Sequence, residues 1–145
     1  MDENKISIVR VLDAPIENVW DAWTKPENLM QWKAPGAMSA ADADVSLEVG
    51  EPYSVTMVGE EVGPTGKVTI GGVYKTIEKP NKLVFTWKWE GQDEETLVSV
   101  LLKSLGEDKT ELTLIHEGFA TVQSKERHAK GWESTLTKLG VFLNK

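Results

Sequence analysis

The chain has 145 residues, 40% of them hydrophobic and 27% charged, with a formal net charge of −7 and no cysteine. These values fit one soluble domain spanning 1–145 and exclude disulfides, thiolate metal sites and a cysteine nucleophile. A negative surface matches phosphate backbones poorly, so nucleic acid is not expected as a partner.

No apolar run approaches the ~20 residues of a membrane span. The start, Met1-Asp2-Glu3-Asn4-Lys5, lacks the basic and apolar regions of a signal peptide, and a cytoplasmic location is expected. The charge is uneven. Residues 34–66 carry Asp42, Asp44, Glu48, Glu51, Glu60 and Glu61 with no Lys or Arg, a balance of −6. Residues 120–145 carry Lys125, Arg127, Lys130, Lys138 and Lys145 against Glu126 and Glu133, a balance of +3. The acidic stretch is either a solvated surface or a docking edge for a basic partner.

In chain order, Ile6 to Leu12 alternates and is rich in β-branched residues, which predicts a first strand. Ala14-Pro15-Ile16-Glu17 opens a helix, since proline suits the first helical position and an acid the first turn. Ile16, Val19, Trp20 and Trp23 follow at helical spacing. Lys25-Pro26-Glu27 repeats the pattern and predicts a second short helix with Leu29, Met30 and Trp32, ended by Pro35-Gly36. The period then changes to two: Ala41, Ala43, Val45, Leu47 and Val49 alternate with polar residues, as in a half-buried strand.

Gly50-Glu51-Pro52 turns the chain, and Tyr53, Val55 and Met57 form the next inner face. Gly59 to Gly66 is a hairpin loop. Its Gly66-Lys67 ending resembles a phosphate loop, but Glu61 stands where the first glycine belongs and Val68 replaces the Ser or Thr. Val68 to Ile77 is a strand containing Tyr74, with a bulge expected at Gly71-Gly72. Pro80-Asn81 turns into Leu83, Phe85, Trp87 and Trp89, all of one parity. Thr96 to Leu105 places Val98, Val100 and Leu102 together, and the Gly106-Glu107-Asp108-Lys109 turn leads to Leu112, Leu114 and His116.

After Gly118 a long helix starts, capped by Thr121 or Ser124. One stripe of it carries His128, Trp132, Leu136, Leu139 and Leu143, at steps of four, four, three and four. The order β-α-α-β-β-β-β-β-β-α, with short later connections, predicts an antiparallel meander of about seven strands in an α+β fold. A lone helix with such a face needs a curved sheet closed over it, and that arrangement can leave a cavity.

The side chains facing that cavity would be Tyr53, Val55, Met57, Tyr74, Phe85, Trp87, Val98, Val100, Trp132 and Leu136, with Trp32 at its mouth. His116 and His128, the two histidines, reach a similar height if the last helix runs antiparallel to the preceding strand. Such a pair can bind metal, contact a ligand or serve as hydrogen-bonded wall residues. Neither has a carboxylate at ligand spacing, and no hydrolase elbow, glycosidase pair or dinucleotide fingerprint is present. No catalytic residue, metal or cofactor is therefore assigned.

Five segments together resemble a known family: Ala14-Pro15-x-x-x-Val19-Trp20-x-Ala22-Trp23, Trp32-x-x-Pro35, Pro80-x-x-Leu83-Val84-Phe85-Thr86-Trp87, Thr110-x-Leu112-Thr113-Leu114-x-His116, and Gly131-Trp132-x-x-x-Leu136-x-x-Leu139. In this order they resemble the START-like (SRPBCC) superfamily, in the branch named after the activator of the 90-kDa heat-shock protein ATPase. The resemblance implies a helix-grip fold, a curved antiparallel sheet around the C-terminal helix. Related members bind sterols, lipids, hormones or polyketides, and some are polyketide cyclases. Gly50-Glu51-Pro52-Tyr53 departs from the Gly-Gly-aromatic turn frequent in the family.

Three readings follow. The first is a non-enzymatic binding protein for a small, mainly hydrophobic ligand. The second is a chaperone-associated interaction module, and the third a cyclase-like enzyme using His116 or His128. The protein is expected as a monomer or homodimer.

Overall fold

The computed structural model describes residues 5–34, 39–59 and 66–144. Pro35-Gly36, Glu60 and Glu61, and the body of the 59–66 loop lie outside them. Strand β1 (Lys5–Leu12) leads into helices α1 (Ile16–Thr24) and α2 (Pro26–Trp32). Six strands follow: β2 (Ser39–Val45), β3 (Pro52–Val58), β4 (Lys67–Glu78), β5 (Lys82–Trp89), β6 (Glu95–Gly106) and β7 (Lys109–Glu117). Helix α3 (Val122–Leu143) ends the described chain. The fold is α+β. All strands pair antiparallel in one sheet of order β1-β7-β6-β5-β4-β3-β2, so β1 crosses over to the far edge while the rest form a meander.

The short helices follow from proline placement. Pro15 stands one position ahead of α1 as its N-cap, and its carbonyl accepts from Asn18 N and Val19 N. Pro26 holds the first position of α2. It also forces Lys25 into an extended conformation (φ −94°, ψ 127°), because the residue before proline is disfavoured in the helical region. The two helices are thus one broken segment, bent at Lys25. Thr121 is the cap of α3, accepting from Ser124 N at 3.0 Å.

The alternating strands bury the expected faces: Tyr53, Val55 and Met57 on β3; Leu83, Phe85 and Trp87 on β5; Val98, Val100 and Leu102 on β6; Leu112, Leu114 and His116 on β7. They close on Trp132, Leu136 and Leu139 of α3. Burying each such side chain contributes roughly 1.5–3 kcal/mol, which explains why a helix with an otherwise polar surface docks in the sheet's concave face. Among the described residues, no helix is long and apolar enough to cross a membrane.

Two expectations are corrected. The strand read as Ala41 to Val49 ends at Val45, and a bulge at Ala41 shifts its register. Ala40, Ala43 and Val45 therefore pack on the core while Ala41 is exposed. Leu47 and Val49 fall in a turn that Gly50 closes with φ +88°, donating its N–H to Tyr74 O. Apolar alternation ran past the point where the backbone turned away.

The bulge in β4 lies between Tyr74 and Thr76, not at Gly71-Gly72. The glycines serve close approach instead. A Cβ on Gly72 would stand 2.1 Å from Thr86 O, an impossible contact. With that space free, Tyr53 Oη donates to Thr86 O at 2.7 Å and Val73 N donates to Thr86 Oγ1 at 2.8 Å.

Candidate ligand cavity

Between the open end of the sheet and α3 lies a cavity of about 370 Å³. Met57 of β3 and Trp87 and Trp89 of β5 form the sheet side; His128, Gly131, Trp132 and Thr135 form the helix side. Gln92 and Arg127, both exposed, stand at its mouth, and Lys33, just past α2, closes its inner end. The volume falls in the lower part of the ~300–1,000 Å³ typical of small-molecule sites. A polar-edged opening over aromatic walls suits a small apolar guest.

Of the side chains the sequence pointed to, Met57, Trp87, His128 and Trp132 line this cavity. Tyr53, Val55, Tyr74 and Phe85 instead border a void of about 10 Å³ that also touches Lys33, room for no more than a water. Trp32, Val98, Val100, His116 and Leu136 pack in the core and line neither space. Trp32 is not at the mouth. Its indole N–H donates to Ala22 O at 2.9 Å and its ring meets Trp23 edge-on at 4.6 Å, locking α1 to α2.

The two histidines meet, with ring centroids 5.2 Å apart. Each accepts from an indole, and an indole can only donate, so the tautomers follow. Trp132 Nε1 donates to His116 Nδ1 at 2.9 Å; His116 Nε2 then carries the proton and donates to Thr96 Oγ1 at 2.6 Å, which donates to Trp87 O at 3.2 Å. Trp89 Nε1 donates to His128 Nε2 at 3.0 Å, and His128 Nδ1 donates to Ser124 O at 2.7 Å.

Burial, with His128 and Lys33 nearby, pulls His116 from 6.5 to about 2. Burial also lowers His128, against the opposing pull of the Ser124 carbonyl and Glu94. Both rings are neutral, and all four ring nitrogens are committed. No group of three or more potential metal-binding side chains is present among the described residues.

Glu94 fastens the β5–β6 turn to the start of α3. Its carboxylate accepts from Ser124 Oγ at 2.6 Å and Ala120 N at 2.8 Å. Its slight burial pushes its carboxyl up, but these bonds and the nearby His128 and Arg127 leave it below the usual range. Burial keeps Tyr53 and Tyr74 protonated, Tyr53 also through Tyr74.

Sequence reasoning missed Lys33. It is 3% exposed, and its Nζ sits over five rings: Trp132 at 4.4 Å, Trp87 at 4.8 Å, Trp23 at 4.9 Å, Trp32 at 5.3 Å and Phe85 at 5.7 Å. No carboxylate pairs with it among the described residues. Burial lowers its pKa from 10.5 to about 7. A signal was present: Lys33 follows Leu29 by four residues, so it shares the buried face of α2. Phe119, 4.4 Å from His116 and 5.0 Å from His128, was missed as well, because it lies in the short link after Gly118 rather than on a patterned element.

Residues 13–144 match the family model described as Activator of Hsp90 ATPase homolog 1-like protein. The chain belongs to this family. The activator-homologue fold recurs in solved structures. A protein of Chromobacterium violaceum aligns with a TM-score of 0.87 at 23% identity, covering 98% of this chain and 99% of its own. An AHSA1-like protein of Aeromonas hydrophila aligns at 0.81 and 23% identity, covering 97% and 92%. An Hsp90 activator from Plasmodium falciparum aligns at 0.74 and 24% identity, covering 97% and 96%. At such identities the likeness is one of fold. No curated protein matches the sequence.

Proposed function

We propose that this activator-homologue chain is a single-domain cytoplasmic protein that binds a small, mainly hydrophobic ligand in the cavity between sheet and α3. The observation that carries the reading is the 370 Å³ space walled by Met57, Trp87, Trp89 and Trp132. An apolar-walled space of this size with a few polar groups at its edge has the form of a small-molecule site. His116 and His128 are not proposed as acid or base, because each already accepts an indole proton and donates its own.

The test uses the tryptophans in the wall. Hydrophobic ligands should change the tryptophan emission saturably. Gly131→Leu, which puts a side chain into the cavity from α3, should abolish that response with no loss of folding, since leucine favours a helix over glycine by up to ~1 kcal/mol. A response that survives in the filled variant would place binding elsewhere and overturn the reading.

A chaperone-docking role is the second reading, supported by the family description and by an exposed acidic edge. Asp42 and Asp44 on edge strand β2, with Glu48 and Glu51 just beyond it, all face solvent.

A further inference from the structure

The inner end of the cavity holds hydrogen-bond donors without acceptors. Lys33 Nζ has no carboxylate or carbonyl partner among the described residues, although it is almost fully buried. The indole N–H of Trp87, a wall residue, is buried and unpartnered, as is that of Trp23. Lys33 Nζ lies within 5 Å of both ring centroids. Buried donors in proteins are nearly always satisfied, and leaving one unmade costs ~1–3 kcal/mol, more for a charged group. The Lys33 ammonium, lining the cavity with no anion beside it, and the unpartnered Trp87 N–H on the same wall mark a spot suited to an acceptor.

We infer that the ligand is a small apolar carboxylic acid, seated with its carboxylate against Lys33 and its apolar body between Trp87, Trp89, Trp132 and Met57. This rests on the ligand-binding reading above and names the ligand's chemistry. A carboxylate offers two oxygens with about four lone-pair sites and no donor, the complement of an ammonium enclosed by aromatic ring faces. It also neutralises a charge that is otherwise buried alone, the costliest state for a polar group. The ring faces around Nζ attract a cation, so the ammonium form is retained once an anion arrives. Arg127 at the mouth adds a second positive charge on the entry path.

Among the described residues, no carboxylate competes from within. The ionisable groups facing Lys33 are His116 on β7, the phenols of Tyr53 and Tyr74 on β3 and β4, and, across the cavity, His128 and Arg127 on α3; none is an acid of the Asp or Glu type. Glu94 lies outside this set, fastened to the start of α3. With its pKa near 7, free Lys33 is mostly neutral at pH 8, and pairing with a carboxylate returns it to the charged form. Binding at pH 8 therefore takes up close to one proton.

The experiment is calorimetric titration with matched pairs: hexanoate, octanoate, decanoate, phenylacetate and 1-naphthaleneacetate, each against its primary amide. At pH 7 at least one acid should bind tenfold or more tightly than its amide, and Lys33→Met should erase that preference while amide binding remains. Repeating the wild-type titration at pH 8 in two buffers of different ionisation enthalpy should show the proton uptake, a readout independent of how the variant folds. Equal affinity for acid and amide, or a preference that persists in K33M, or acid binding without proton uptake, overturns the carboxylate inference and leaves an apolar ligand standing. Silence of every acid and every amide overturns both.

Discussion

Lys33→Met is expected to make the protein more stable, by roughly 2–4 kcal/mol at pH 7 or below. Methionine keeps the length and apolar stem of lysine, fits the same ring box and removes the only cost of the native residue, the burial of an ammonium without an anion. The attraction of the five ring faces offsets part of that cost, which sets the figure below the 1.36 kcal/mol per pKa unit that the full shift would give.

The sign of the pH dependence is fixed by linkage. The folded-state pKa of about 7 lies below the unfolded value of 10.5, so between these limits the unfolded chain binds the proton that the folded chain gives up. Wild-type stability therefore gains on that of the variant as pH rises from 7 towards 10. Urea unfolding of both proteins at pH 6, 8 and 9.5 reads this directly. The difference should be largest at pH 6 and shrink steadily. A variant less stable than wild type at every pH would show that the ammonium is a structural asset rather than a retained cost.

His116→Leu should destabilise the protein by about 2–4 kcal/mol at pH 7. The imidazole receives the Trp132 N–H and donates to Thr96 Oγ1, and leucine leaves both groups buried with one partner fewer. Acid reverses part of the loss. Because the folded pKa of His116 is about 2 against 6.5 in the unfolded chain, the wild type has the full benefit of this group above pH 6.5 and loses it as pH falls. At about 1.36 kcal/mol per unit, the gap between wild type and variant should narrow by roughly 2–3 kcal/mol between pH 6.5 and 4.5. Groups titrating alike in both proteins cancel in the difference. A gap that stays constant across that range would mean that His116 is charged in the native state, contrary to the tautomer chain from Trp132 to Trp87.

Both effects come from titratable groups that the aromatic core encloses, and they divide what was legible in the sequence from what was not. Wherever one face of a strand is buried, period-two alternation exposes it: Tyr53, Val55 and Met57, or Leu112, Leu114 and His116, are assigned to the inner surface by the sequence alone. The α3 stripe was equally plain, and with β7 it brought the two histidines together from spacing alone. Parity does not reveal how far along the inner face the space is filled. Tyr53, Tyr74 and Phe85 pack ring against ring at 5.2–6.2 Å and close one end, while Met57, four residues beyond Tyr53, and Trp87, two beyond Phe85, stand beside open space. Side-chain volumes on three strands and three helices decide that jointly.

Local backbone events were the other blind spot. The bulge at Ala41 turned an unbroken apolar alternation into two short registers, and the glycines of β4 proved to be room for the Tyr53 carbonyl (Gly71) and for Thr86 (Gly72) rather than a bend. Lys33 was hidden by its own chemistry. Lysine is almost never fully buried, so its place on the Leu29 face of α2 carried less weight than its charge. That exception is informative, because it stands where the ligand reading needs a polar anchor.

Ligand binding in the cavity is tested most directly by native mass spectrometry of the protein purified gently from its own cells. A stoichiometric small-molecule mass is expected that disappears on denaturation and is absent from the Gly131→Leu protein. A bare protein, prepared without detergent or dialysis, would contradict it and shift the weight to docking at the acidic edge of β2.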